Sequence, residues 1–215
     1  MSVAGRGDLY TEEVNAMRID RRWFVAMAIL FLPLLVVGNA YGESRYRWDI
    51  PHLSLSNGVP TVSAGGTASA LAQDGSEITV TGFGTFTVGD DDVTGGGTWT
   101  TVAADGVTVT GMGNFLVTRL IRFVPAPGQL PSTFNDTIGN VTKTHAGLAY
   151  LRVDYDDGSK GILIISCAIP GAPPSMFEGI TASKGFVDYW NHVGPTGSPD
   201  TANAGRTLFH LLSKE

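Results

Sequence analysis

Apolar and polar positions along most of this chain repeat every two residues. Thr79 to Val88, Thr98 to Val102 and Thr108 to Val117 all alternate, and a period of two marks a strand with one buried face. The first and third of these segments, Thr79-Val-Thr-Gly-Phe-Gly-Thr-Phe-Thr-Val and Thr108-Val-Thr-Gly-Met-Gly-Asn-Phe-Leu-Val, agree at seven of ten positions, 29 residues apart. Each has Gly-x-Gly at its centre, which predicts a bend, a bulge or a close backbone approach. Strand residues follow both copies, so Gly-x-Gly here is not a dinucleotide fingerprint, which needs a third glycine and a helix. Two copies are too few for a solenoid, and a duplicated strand pair in one sheet system is the modest reading.

The pattern extends to both sides. Asp90-Asp91-Asp92, Gly95-Gly96-Gly97 and Asp105-Gly106 punctuate the strands as hairpin turns. The second copy continues through Arg119 to Val124 into Pro125-Ala126-Pro127-Gly128, which should end the strand. Residues 125–146 are the longest stretch without a pattern, and a loop of that length inside a compact domain is often functional or mobile. Gly147 to Asp154 and Gly161 to Cys167, joined through Asp156-Asp157-Gly158-Ser159, form the clearest hairpin. Its second arm is apolar at successive positions and should be a central strand buried on both faces. Phe177 to Trp190 reads as a strand running into a bulge, and Thr207 to Leu212 as a short closing strand.

With about eight strands, frequent turns and no long amphipathic helix, the expected fold is all-β, a single-domain β-sandwich or closed β-barrel. Residues 43–76, with Pro51, Pro60 and Gly65-Gly66, read as a tether and an early strand, and residues 77–215 as the all-β domain.

Residues 1–42 differ from everything after them. Arg21-Arg22-Trp23-Phe24 leads into an apolar run of 14 residues, Phe24 to Val37, and small residues follow at Gly38, Ala40 and Gly42. Basic, apolar and small-residue zones in that order are the layout of an export signal. A bilayer-spanning helix takes roughly 20 residues and Pro33 interrupts this run, so a cleaved signal is favoured over an anchor, with cuts after Ala40 or Gly42. The Arg21, Arg22 and Phe24 core resembles a bacterial twin-arginine signal, with Asp20 where that family usually has Ser or Thr. The resemblance covers only the leader and implies folding before export; a Sec signal starting at Met17 would have the same layout. The expected location is extracytoplasmic, periplasmic or secreted. Membrane contact would come only through this segment, if it is not cleaved.

Composition narrows the partners. The residues after Gly42 carry 10 Lys or Arg against 16 Asp or Glu, a surface with no basic cluster to release counterions from nucleic acid or anionic lipid. The one cysteine, Cys167, forbids an internal disulfide. The two isoleucines just before it predict a buried, structural thiol.

Candidate chemistry is thin. Asp90 and Asp92, and Asp154 and Asp156, are clustered carboxylates on loops of the kind calcium uses, although neither spacing matches a twelve-residue calcium loop and hairpin aspartates usually serve turn geometry. His145, His192 and His210 are candidates to gather with Asp188 or Glu178 into a general-base or metal site. Phe186 to His192 sets aromatic and polar groups beside a loop, and Asp188, Trp190 and His192 are the candidate ligand-binding residues there. Without a catalytic constellation, the favoured reading is a non-enzymatic binding or structural module. Its ligand, a small molecule or a protein, and any cofactor stay unidentified. The alternatives are an extracytoplasmic enzyme with His192, His210 and Asp188 at a barrel mouth, and a membrane-anchored accessory subunit.

Overall fold

Strands dominate because alternating Thr, Val, Ile and aromatic residues suit a pleated surface with one wet face. The computed structural model describes residues 43–195 and 205–214, all within one compact unit, Tyr41–Glu215. The export-signal residues Arg21, Arg22 and Phe24 lie outside the described residues. In chain order the strands are β1 (Ser44–Asp49), β2 (His52–Ser56), β3 (Val59–Ser63), β4 (Ala68–Leu71), β5 (Glu77–Val80), β6 (Phe83–Thr87), β7 (Val93–Val102), β8 (Val109–Ala126), β9 (Asn135–Asp136), β10 (Thr144–Tyr155), β11 (Lys160–Cys167), β12 (Gly179–Lys184), β13 (Val187–Tyr189), β14 (Asn191–Val193) and β15 (Leu208–Lys214). A 3-10 turn, Val141–Lys143, precedes β10.

Six of these strands close a barrel. β1 pairs with β15 and β6, β6 with β7, β7 with β8, β8 with β10, and β10 returns to β15. The closed barrel decides between the two architectures left open by the sequence. Past the closure the sheet continues on both sides, through β11-β12-β13 from β10 and through β5-β4-β14 from β7. A second sheet, β2-β3-β9, stands apart. It is an antiparallel hairpin turned by Asn57-Gly58, both at positive φ as such a tight turn requires, with β9 added in parallel.

Trp48 on β1 lies opposite Phe209 on β15. Around them Tyr46, Phe86 and Phe123 complete an aromatic core, with ring centroids 4.6 to 6.1 Å apart. One residue along each strand the side chains point the other way: Arg47 lies opposite His210, and Asp49 opposite Leu208. That outer face is buried too, because β9 packs on it through a bond from His210 to Asp136.

Several expectations change. Residues 43–76 hold four strands rather than a tether with one early strand, and Tyr46, Trp48, Ile50, Val62, Ala68 and Ala70 in them are core. Proline and glycine there mark tight turns between short strands, which composition alone cannot distinguish from a linker. About eight strands become fifteen among the described residues, because several are only two to five residues long. The two similar segments are not equivalent, since the first breaks into β5 and β6 while the second is continuous in β8; both pair with β7. Phe177 to Trp190 is a hairpin of β12 and β13, turned at Gly185 at positive φ, rather than a bulged strand. β11 is central, but its outer face is open at Ile162, which is 40% exposed. β8 runs through Pro125 to Ala126 before the proline ends it.

Candidate functional site

Three strand ends meet at one point beside the barrel. β11 leaves through Ala168, Ile169 and Pro170; Glu178 stands one residue before β12; and Arg206 and Thr207 lead into β15. Gly179 pairs with Ser166, so β12 runs back along β11 and carries Glu178 to the end of its neighbour. Thr207 fastens the junction: its Oγ1 donates to the Ser166 carbonyl at 2.6 Å and its backbone N–H to Glu178 Oε1 at 2.7 Å. The Ala168 N–H donates to Glu178 Oε2 at 2.5 Å.

A cavity of about 250 Å³ opens at this junction, close to the lower end of ligand pockets, roughly 300 Å³. Its walls are Pro51, Leu53 on β2, Val62 on β3, Leu130 and Phe134 from the long loop, Ala168 to Pro170, and Leu208, while Glu178, Arg206 and Thr207 bring its polar groups. Mostly apolar walls converging on a few polar groups are the usual build of a small-molecule site. Burial is the largest influence on Glu178 and pushes its carboxyl up to about 7, against the pull of the Ala168 and Thr207 N–H groups and the Arg206 charge. Arg206 Nε is buried and has no hydrogen-bond partner among the described residues. A carboxyl that titrates near neutrality beside a cation in a cleft is a recognised mark of a functional site.

A second charged cluster lies under the small sheet. Arg47 grips Asp49 with two bonds of 2.8 Å, and His210 Nε2 meets Asp136 Oδ2 at 2.7 Å. Asp136 Oδ1 also accepts from the Ile138 and Gly139 N–H groups. The His210 and Asp136 side chains are each 2% exposed, and a Cβ on Gly139 would lie 2.7 Å from the imidazole. A ring closed off this tightly cannot meet a substrate, so the cluster holds β9 and the long loop against the barrel. Burial raises the Asp49 carboxyl despite Arg47.

The residues singled out in the sequence are mostly placed elsewhere. Asp188 and Trp190 line shallow depressions beside β12 and β13, and His192, on β14, packs on the Phe177 ring at 4.5 Å outside those depressions. His145 packs edge-on to Tyr46, and His210 is buried with Asp136; no described pocket joins two of the three histidines. The acidic loops are occupied by protein contacts. Asp90 caps its own turn and Asp92 faces Arg45 at 3.9 Å. Asp154 binds Lys160, and Asp156 accepts from the Trp99 indole and Asn114. Among the described residues no three His, Cys, Asp or Glu side chains gather as metal ligands. Cys167 is fully buried and its thiol is pushed well up, chiefly by burial and then by the Glu178 charge.

Sequence reasoning named Glu178 only as a partner for histidines and missed Arg206 altogether. The one available signal for this site was the long loop, whose Leu130 and Phe134 form one of its walls. No known protein family, characterised protein or solved structure matches the chain.

Proposed function

We propose that this chain is an exported, non-enzymatic binding module that holds a small molecule in the cavity between the barrel and the β2-β3-β9 sheet. The observation that carries the reading is the cavity itself, with apolar walls from four separate segments closing on Glu178 and Arg206. Export is supported by the basic, apolar and small-residue order of residues 1–42. The acidic balance of the remaining residues supports a partner other than nucleic acid.

Native mass spectrometry of the exported protein tests this reading. The expected mature chain starts near Tyr41 or Glu43 and carries added mass, which a Leu53→Trp substitution removes by filling the cavity. A bare chain, together with no saturable binding of any small amphiphile, would contradict it.

A further inference from the structure

The cavity is mostly apolar, and its charged side chains are Glu178 and Arg206. A guanidinium is a permanent cation with five donors, and leaving a buried donor without a partner is costly. The Glu178 oxygens already accept from Ala168 and from Thr207, and no bond from Arg206 reaches them among the described residues. The site therefore holds a cation whose buried Nε–H has no acceptor among the described residues, in a cavity with mostly apolar walls.

We propose that the cavity takes a small amphiphilic carboxylate, its tail against Leu53, Val62 and Phe134 and its head group on the Arg206 guanidinium. This rests on the cavity being the binding site. The chemistry is that of a medium-chain acid, because the volume admits a short tail and the polar wall offers donors to one anionic group.

Glu178 sets the condition for binding. Two carboxylates held in one mostly apolar cavity repel each other, so the ligand is received best when Glu178 is neutral. Of the described elements packed around Glu178, the lead into β15 contributes Arg206 and β11 contributes Cys167, whose thiol stays neutral. The β2, β3 and loop walls contribute only apolar side chains. With the Glu178 carboxyl at about 7, binding that requires its proton weakens about tenfold between pH 6 and pH 8. A simple carboxylic acid is ionised throughout that range, so the change belongs to the protein.

Isothermal titration of the full exported protein with octanoate and with 1-octanol, at pH 6 and pH 8, is the test. Octanoate is expected to bind about tenfold more tightly at pH 6. Arg206→Gln is expected to weaken octanoate at least tenfold while leaving octanol within twofold. Octanol binding as tightly as octanoate, with Arg206→Gln changing neither, would overturn the carboxylate but leave the cavity as a binding site. Octanoate binding equally at both pH values would overturn the role of Glu178. Neither probe binding, or both binding unaffected by Leu53→Trp, would overturn the cavity as well.

Discussion

Glu178 is the residue whose protonation most directly couples stability to pH near neutrality. Its carboxyl titrates at about 7 in the folded chain against an ordinary 4.5, so between those values the folded state binds the extra proton. The stabilisation is full below pH 4.5 and is lost as pH rises through 7, a change of about 3 kcal/mol. Glu178→Gln abolishes that dependence but turns an NH₂ toward the Ala168 or the Thr207 N–H, which costs about 1–3 kcal/mol. Urea unfolding should therefore show the variant less stable than the parent at pH 5, with the difference shifting by about 2.5 kcal/mol in the variant's favour by pH 8, so that the gap closes or reverses. A gap independent of pH would mean that Glu178 is not buried as described. His210 makes a second prediction at this scale. His210→Ala strands the buried Asp136 carboxyl and should cost about 3 kcal/mol, read from the urea midpoint. A loss under 1 kcal/mol would show that the pair does not hold the loop.

The paired glycines of the similar segments show what the strands need from their neighbours. A Cβ on Gly84 would come within 2.7 Å of the Trp48 indole nitrogen, and one on Gly111 within 2.9 Å of the Trp99 ring. Both segments thus use glycine where a tryptophan, and at Gly84 also the backbone of β7, comes close, the approach that Gly-x-Gly implied. Gly84→Ala should drive a methyl into the Thr94 carbonyl and the Gly95 backbone of β7 as well as the Trp48 indole, and destabilise by about 1–3 kcal/mol. Gly194→Ala, where a Cβ meets nothing within 4 Å, should stay within about 0.5 kcal/mol. Equal effects in a thermal melt would contradict the close approach of β6 to β7 and Trp48 at Gly84. The strands themselves were legible wherever a pattern ran for some eight residues, alternating in β8 and β10 and continuously apolar in β11. β2, β3 and β4 were missed because each spans five residues or fewer between turn residues, too short for a period to show against proline, glycine and serine.

For the molecule as a whole, the sequence carried the fold class and the existence of a final strand near Thr207 to Leu212, since both follow from local alternation, but not the pairing of that strand with β1 and β10. It did not carry the site. Ala168, Glu178 and Arg206 belong to three separate strand ends, and only the pairing of β11 with β12 and the lead into β15 bring them together. The residues that looked chemical, Trp190, His192 and the aspartate runs, stood out by composition but take up turns, ion pairs and shallow surface. The charge cluster of Arg47, Asp49, Asp136 and His210 was hidden for the same reason as the cavity: its members are far apart in sequence, and β9, only two residues long, joins the barrel face through the long loop. A proton–nitrogen NMR titration of the protein with octanoate tests the central claim most directly. The account predicts saturable shifts at the amides of Leu53, Val62, Leu130, Ala168, Thr207 and Leu208. Shifts confined to Asp188, Trp190 and His192, or none that saturate, would contradict it.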